Sequence, residues 1–129
     1  MTKVIIDEVK YVPREKEIEI WIDSETGLVW EKQGSYKTLS WKKAVEYAET
    51  LRNNWRLPTV QELMTLIDFT KINPACKITN TYSSYYWSST TFVHDTDYVW
   101  YIIGFGYGHI NYSKKDNNFY VRCVKGEEK

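Results

Sequence analysis

The chain has 129 residues, enough for one domain to bury a core without metal ions or disulfides to stabilise it. Lysine plus arginine and aspartate plus glutamate both number 17, so nucleic-acid binding through a basic surface is not expected. No window contains the roughly 18 apolar residues of a membrane span, and the N-terminus has charges where a secretion signal has its apolar run. These features predict a single domain over residues 1–129, with no membrane insertion and no secretion signal in the chain as given.

The first half of the chain predicts a hairpin and then a helix. Polar and apolar side chains alternate over 17–22, a turn follows at 24–27, and an apolar stretch resumes at 28–30, which indicates two paired strands. After Ser40, apolar residues recur every three or four positions along the chain. The Ser40 hydroxyl is a suitable N-cap, so we expect a helix over about 41–52.

A second helix and a group of strands complete the predicted fold. Thr59 and Glu62 stand at the spacing of a capping box, which predicts a helix over about 60–69. Strands joined by glycine-rich or polar turns are then expected near 85–89, 98–105, 108–113 and 119–124. A hairpin, two helices and a β meander in this order indicate the α+β class.

Arginines and tryptophans within the apolar stretches are predicted to be structural. Arg56 and Arg122 are flanked by apolar residues, so we expect each to form a buried ion pair with Glu62, Asp68 or another helix carboxylate. Trp21 is either a core residue or an edge contact. The tryptophans predicted to pack in the core are Trp30, Trp41, Trp55, Trp87 and Trp100.

The segment 91–119 has the composition of a binding surface. It holds both histidines and four tyrosines but no Glu, Gln or Met, whereas residues 1–90 hold nine Glu, two Gln and both Met. Tyrosine gives large contact area at low entropic cost, and Ser, Gly and Asn give adaptable hydrogen bonding. Strand alternation does not allow every candidate to face outward. The predicted ligand-binding residues are His94, Asp95, Asp97, Tyr98, Tyr101, Tyr107, His109, Asn111, Tyr112, Asp116 and Asn117.

Two arrangements in this region could suggest chemistry instead of binding. His94 with Asp95 and Asp97 could hold a metal or act as an acid–base pair, but their close spacing in a loop favours a solvated binding loop. The side chains of a hydrolase triad are available in Ser88, Ser89, His109 and Asp116, but the sequence has no nucleophile elbow around either serine. Hydrogen bonding of the two serines within a tight strand end is the favoured interpretation. We therefore predict no catalytic residue, no metal site and no cofactor.

Five motifs in order resemble the Lcl C-terminal domain family over about residues 20–125. They are the TGLVW sequence at 26–30, the helix opening at Trp41, the WRLPT sequence at 55–59 with Glu62-Leu63, the YWSST sequence at 86–90 and the VRCV sequence at 121–124. The resemblance implies a C-type-lectin-like fold, related to that of formylglycine-generating enzymes. In such a fold two helices pack around small antiparallel sheets and present a loop-rich face to ligands.

The cysteines depart from the family pattern. Many relatives have a cysteine in the first helix, where this chain has Ala48. Cys76 and Cys123 are either a single disulfide or two buried thiols. They do not reproduce the closely spaced copper-binding cysteines of formylglycine-generating enzymes, so that activity is not carried over. The calcium signatures of sugar-binding C-type lectins, Glu-Pro-Asn and Trp-Asn-Asp, are also missing.

The resemblance also suggests sequence variability. Variable proteins of diversity-generating retroelements use C-type-lectin-like domains whose diversified segment ends near the C-terminus. Their mutagenesis acts on template adenines, and an Asn codon ending in a pyrimidine cannot then become Glu, Gln, Met, Lys or Trp. In the segment 91–119 only Trp100, Lys114 and Lys115 lie outside the accessible set. Chance in a strand-and-turn region is the alternative account.

We therefore expect a non-enzymatic domain that displays a variable face to a protein or glycan ligand, with display at a cell or virion surface. One alternative is an ordinary structural or adhesive module of the same family. Another is an enzyme related to the formylglycine generators. A buried pocket with perturbed titrating groups would favour an enzyme, and a broad tyrosine-rich face would favour binding.

Overall fold

The computed structural model describes residues 18–94 and 97–126, and of residues 92–99 only the backbone. In this part of the chain, two helices accompany two antiparallel sheets of three strands each. The predicted α+β class is confirmed, and the arrangement is compatible with a C-type-lectin-like fold. In chain order the elements are β1 (Ile20–Ile22), β2 (Val29–Glu31), α1 (Trp41–Leu51), α2 (Val60–Met64), β3 (Tyr85–His94), β4 (Asp97–Gly104), β5 (His109–Lys114) and β6 (Val124–Lys125).

The first sheet has the order β1-β2-β6 and contains the predicted N-terminal hairpin. Trp21 lies opposite Trp30 in the register of the hairpin. Its turn closes through a hydrogen bond from the Gly27 N–H to the Asp23 carbonyl at 2.7 Å. Gly27 has a φ of 82°, a left-handed conformation that favours glycine.

The prediction of a last meander strand over 119–124 is wrong. Only Val124–Lys125 form a strand, and this strand pairs with β2 in the other sheet. The preceding residues make single bridges, from Phe119 to Leu39 and from Tyr120 to Tyr86. The bridging partners of this segment come from separate parts of the sequence, and local periodicity does not reveal them.

The second sheet is the predicted meander, in the order β3-β4-β5. Tyr86 lies opposite Ile103, and Ile103 lies opposite Ile110. The register of β3 against β4 shifts between Trp87 and Thr91. β3 and β5 are the two edge strands of this sheet, and β5 carries most of the predicted binding residues whose side chains are described.

The two helices contribute to cores on opposite faces of the second sheet. Trp87 and Ile102 pack in the core that contains the α1 residue Ala48, and Tyr86 and Ile103 pack in a second core with α2. Consecutive residues of β3 and β4 therefore enter different cores, as the period of two requires. Three of the predicted core tryptophans, Trp30, Trp55 and Trp87, are buried, and the half-buried Trp41 and Trp100 stack at 4.2 Å.

The helix starts are confirmed, and the end of the second helix is not. The Ser40 hydroxyl accepts from the Lys43 N–H, and Thr59 and Glu62 form the predicted capping box. α2 ends at Met64, although the sequence predicted a helix to 69. The chain leaves the helix because it pairs instead with a later loop: Ile67 bridges to Cys76, and the Asp68 N–H donates to the Ala75 carbonyl at 3.0 Å.

Arg56 forms the predicted ion pair with Glu62. Its two terminal nitrogens lie 2.8 Å from the two carboxylate oxygens. Burial opposes the charge on Glu62, but the hydrogen bonds from Arg56 and Thr59 outweigh this effect and hold the pKa of Glu62 below its ordinary value. The pair therefore joins the WRLPT segment to the first turn of α2.

The predicted ion pair of Arg122 is wrong. Its guanidinium instead donates to the Thr81 hydroxyl at 2.6 Å and to the carbonyls of Lys32, Gln33 and Asn80 at 2.8, 3.2 and 2.5 Å. Burial lowers the pKa of Arg122. Carbonyl oxygens take the place of the expected carboxylate because the chain segments that meet here contribute backbone and not helix side chains. The guanidinium joins two loops that are distant in sequence.

Both cysteines are buried free thiols, so the disulfide alternative is wrong. Cys76 lies in the core with α2, and Cys123 lies in the core with α1. Burial raises the pKa of Cys123 well above the usual range of a thiol. The fold is stabilised without a disulfide in the part of the chain that the structure describes.

Replacement of a core tryptophan should cost far more stability than replacement of an exposed tyrosine. Trp87 is fully buried, so Trp87→Ala should lower the free energy of unfolding by about 3 to 5 kcal/mol through the cavity it leaves. Tyr107 is 64% exposed, so Tyr107→Ala should cost less than about 1 kcal/mol. Chemical denaturation measures both, and similar midpoints would contradict the assignment of core and surface.

The Arg56–Glu62 pair should make stability depend on pH. The pKa of Glu62 is lowered on folding, so its contribution is present above the ordinary value of 4.5 and is lost as pH falls through the lowered folded value. Glu62→Gln keeps a capping side chain and removes the charge. We expect a cost of about 1 kcal/mol near pH 7 that shrinks towards pH 3, measured by urea denaturation. A cost that stays constant with pH would show that the charge is unimportant.

Candidate functional site

The predicted binding residues fall into a described group and an undescribed group. Tyr101, Tyr107, His109, Asn111, Tyr112, Asp116 and Asn117 lie on β4, on β5 and in the turns at either end of β5. The backbones of His94, Asp97 and Tyr98 belong to the β3–β4 hairpin, where His94 lies opposite Asp97. Their side chains, and Asp95 altogether, lie outside the described residues, so these four predictions stay untested.

β5 divides its predicted residues between two faces. His109 and Asn111 lie opposite Gly104 and Ile102, on the face towards α1. Tyr112 lies opposite Tyr101, on the face towards α2. The predicted residues therefore do not form one continuous patch, because neighbouring strand residues point in opposite directions.

Large apolar side chains are exposed on β5 and in the turn before it. Ile110 and Tyr112 lie on the face towards α2, whereas Tyr107, in the turn, stacks on His109 of the face towards α1. Tyr107, Ile110 and Tyr112 are 64%, 47% and 49% exposed. Phe69, from the loop after α2, is 77% exposed, and its ring would lie 3.3 Å from a Cβ placed on Gly108. We call these four residues, Phe69, Tyr107, Ile110 and Tyr112, the aromatic face. Soluble domains rarely expose several large apolar side chains close to one another, so such a group indicates an interaction surface.

Backbone hydrogen bonds bring the loop after α2 to this face. The Asn73 N–H donates to the Gly106 carbonyl, and the Ala75 N–H donates to the Phe105 carbonyl, both at 2.7 Å. The sequence predicts Phe69 at the end of α2, so its exposed position in a loop was not expected. Two large apolar residues, Phe69 and Ile72, in a polar stretch before an Asn-Pro pair were the signal that could have indicated an exposed loop.

His109 has a positioning role in addition to any contact with a ligand. Its Nε2 lies 2.8 Å from the Tyr85 hydroxyl, and its ring stacks on Tyr107 at 4.5 Å between centroids. A Cβ on Gly104 would lie 2.5 Å from the His109 ring, so the glycine leaves room for it. The half-buried His109 ring therefore supports Tyr107, and its contact with a ligand stays a prediction.

The remaining described candidates differ in exposure. Tyr101 is half-buried against the core with α2, because β4 is the central strand. Asn111 is exposed, and its side-chain oxygen accepts from the Tyr112 N–H at 2.8 Å. Asn117 donates from its side chain to the Ser113 hydroxyl at 2.7 Å, and Asp116 is exposed beside it. The polar residues thus shape the strand and the following turn while remaining accessible.

Ser88 and Ser89 form hydrogen bonds within the fold, as predicted, but they lie inside β3, where its register shifts, and not at a strand end. The Ser88 hydroxyl donates to the Tyr101 carbonyl at 2.7 Å and accepts from the Thr90 N–H at 3.1 Å. The Ser89 hydroxyl donates to the Pro58 carbonyl at 3.3 Å. Among the described residues, no group of three His, Cys, Asp or Glu side chains is placed to hold a metal ion.

A cleft lies apart from the aromatic face. This cleft of about 790 Å³ opens beside β2 and α1 and contains Glu31 and Tyr47 among its lining residues. It shares no residue with the aromatic face. The molecule therefore has two separate candidate sites, the aromatic face and this cleft.

The comparison with known families agrees with the architecture. The model of the Lcl C-terminal domain matches residues 19–125, which is most of the chain. The protein belongs to this family. No curated protein sequence matches the chain. Within the described residues, none of the helices is long and apolar enough to cross a membrane.

The packing of Gly104 against His109 can be tested by substitution. Gly104→Ala places a methyl group 2.5 Å from His109 Cε1 and 2.9 Å from Tyr85 Cε1, so we expect a cost of about 1 to 3 kcal/mol in unfolding free energy. In a His109→Ala background this cost should fall by at least about 0.5 kcal/mol. Denaturation of the four proteins of the cycle measures both values.

Gly106→Ala is the matched control for this cycle. A Cβ on Gly106 would meet its nearest neighbour, Asn73 Oδ1, at 3.7 Å, which is an ordinary contact. Its cost should be the same with and without His109. If the costs of Gly104→Ala and His109→Ala simply add, the ring does not occupy the space beside Gly104.

Proposed function

We propose that the protein is a non-enzymatic ligand-binding domain that uses the aromatic face and the adjoining polar residues of β5 to contact a protein or glycan. The observation that carries this proposal is the exposure of Phe69, Tyr107, Ile110 and Tyr112 together at one edge of the molecule. In many binding surfaces a few tyrosine side chains contribute most of the binding energy, and the polar groups around them form adaptable hydrogen bonds. A catalytic role has no comparable support from the serine and histidine contacts.

The scaffold beneath the face supports the same proposal. β3 and β4 are packed between two cores, whereas the edge strand β5 exposes large apolar side chains. Asn111 is exposed on the other face of β5 and Asp116 in the turn after it, so both provide hydrogen-bonding groups at the same edge of the sheet. Substitution at such positions removes little buried surface, so a ligand-binding edge of this kind can change while the fold remains.

The proposal extends to sequence variability of the segment 91–119. Its support is compositional: Glu, Gln and Met are absent from this segment and present before it. A variable protein of a diversity-generating retroelement would vary Tyr107, Asn111 and Tyr112 and keep the scaffold constant. Sequencing around the gene tests this idea. A reverse transcriptase gene beside a near-identical repeat that differs only at adenines is expected, and a repeat with substitutions at all four bases would contradict it.

An adhesive module that binds its own copies is a second candidate function. The position of β5 at the sheet edge, with Ile110 and Tyr112 about half exposed, favours it. Antiparallel addition of one edge strand to another is a common mode of association. Sedimentation at increasing concentration separates the two candidates, because a face that binds itself produces a dimer without any added ligand.

The binding function is tested by removing the face and keeping the fold. A variant that carries Tyr107→Ser, Asn111→Ser, Tyr112→Ser and Asp116→Ser should retain cooperative melting, since all four side chains are exposed. The parent and the variant are screened side by side on arrays of cell-surface proteins and of glycans. We expect the signals of the parent to fall by at least about tenfold in the variant.

Ile22→Ser is the control for this screen. Ile22 is a large apolar residue of β1, 61% exposed, and belongs neither to the aromatic face nor to the lining of the cleft. Its array signals should equal those of the parent. Binding that survives in a folded quadruple variant would place the site elsewhere, and an unfolded quadruple variant would show that the four residues belong to the core.

A further inference from the structure

The cleft beside β2 and α1 has a carboxylate at its floor. Glu31 is only 5% exposed, although it is the last residue of β2 and lines the cleft. One oxygen accepts from the Cys123 N–H and the other from the Tyr47 hydroxyl, each at 2.8 Å. The strand and α1 thus hold the carboxylate in a fixed orientation.

Among the described residues, no lysine or arginine forms an ion pair with this carboxylate. Arg122 acts on it only through charge, since the guanidinium donates to Thr81 and to backbone carbonyls. Burial raises the pKa of Glu31 despite the hydrogen bonds it accepts. Each carboxylate oxygen has a further lone pair that could accept from a ligand.

The walls of the cleft are suited to an apolar body. Ile18, Leu39 and Leu51 supply aliphatic surface, and Tyr36 and Tyr47 supply aromatic rings. A volume of about 790 Å³ is within the range of small-molecule sites. Aromatic rings attract organic cations, and a buried carboxylate repels anions.

We propose that this cleft binds a small organic cation, a primary ammonium on an apolar body of about one ring, whose N–H groups donate to the carboxylate of Glu31. The site is independent of the aromatic face and of the ligand proposed for it. The bound ammonium would supply a direct countercharge to Glu31, which no described lysine or arginine provides. Hydrogen bonds to charged groups are the stronger class, so charge should dominate selection among ligands of one shape.

The proposal includes a direction for the pH dependence. Tyr47 from α1 and the Cys123 thiol and Arg122 from the C-terminal segment act on Glu31. The cleft lining also contains the charged residues Glu19 and Lys37 and the phenol of Tyr36. The ammonium requires the ionised carboxylate, whose pKa lies above its ordinary value of 4.5. Affinity should therefore be highest where Glu31 is ionised and decrease as pH falls through that raised value.

Three compounds of similar shape and different charge test the proposal on the full chain. Phenethylamine, phenethyl alcohol and 3-phenylpropionate are titrated by calorimetry and followed by amide chemical shifts. We expect phenethylamine to bind at least about tenfold more tightly than the alcohol, and the acid to bind most weakly. Shifts should appear at Glu31 and Tyr47 and not at Tyr107 or Tyr112. This comparison requires no variant.

Glu31→Gln provides a second test, with Glu25→Gln as its control. Glu31→Gln should lower the affinity for phenethylamine about tenfold and leave that for the alcohol unchanged. Glu25 lies outside the cleft lining, so its substitution should change neither. The proposal is overturned if phenethylamine binds no better than the alcohol, if it does not bind by about 10 mM, or if its shifts map to the aromatic face.

Discussion

Burial of the second sheet on both faces is the constraint on which the rest of the structure depends. Trp87 and Ile102 enter one core, and their neighbours Tyr86 and Ile103 enter the other. A strand that is buried on both faces has no side chain to offer a ligand. In the part of this sheet whose side chains the structure describes, the edge strand β5 and the turn before it expose large apolar side chains. The position of the aromatic face therefore follows from how the two cores are filled.

The C-terminal segment, residues 121–124, contributes side chains to both cores. Val121 and Cys123 pack with α1, whereas Val124 packs with α2 and pairs with β2. Between them, Arg122 is fully buried and donates to backbone carbonyls and to Thr81. A buried charge is costly unless its donors are satisfied, so this residue fixes the loops that supply those acceptors. The same segment supplies the N–H group that holds Glu31, and the cleft depends on it.

Local signals in the sequence predicted the features that depend on neighbouring residues. The Ser40 cap, the capping box of Thr59 and the N-terminal hairpin are of this kind, and all are present. The errors concern contacts between distant residues. Helix α2 stops early because its continuation pairs with Cys76, and the expected partner of Arg122 was replaced by backbone from loops. Composition located the candidate face, but only the register of β5 separates exposed Tyr112 from half-buried Tyr101.

The two candidate sites differ in how far their residues also support the fold. Tyr107 and Tyr112 are largely exposed, so their identity is weakly constrained by packing. Cleft residues are constrained: Glu31 accepts the Cys123 N–H, and a Cβ on Gly34 would collide with the Val121 carbonyl. Substitution there disturbs the C-terminal segment that both cores share. A domain built in this way can vary its outer edge while the cleft stays constant, because no residue belongs to both.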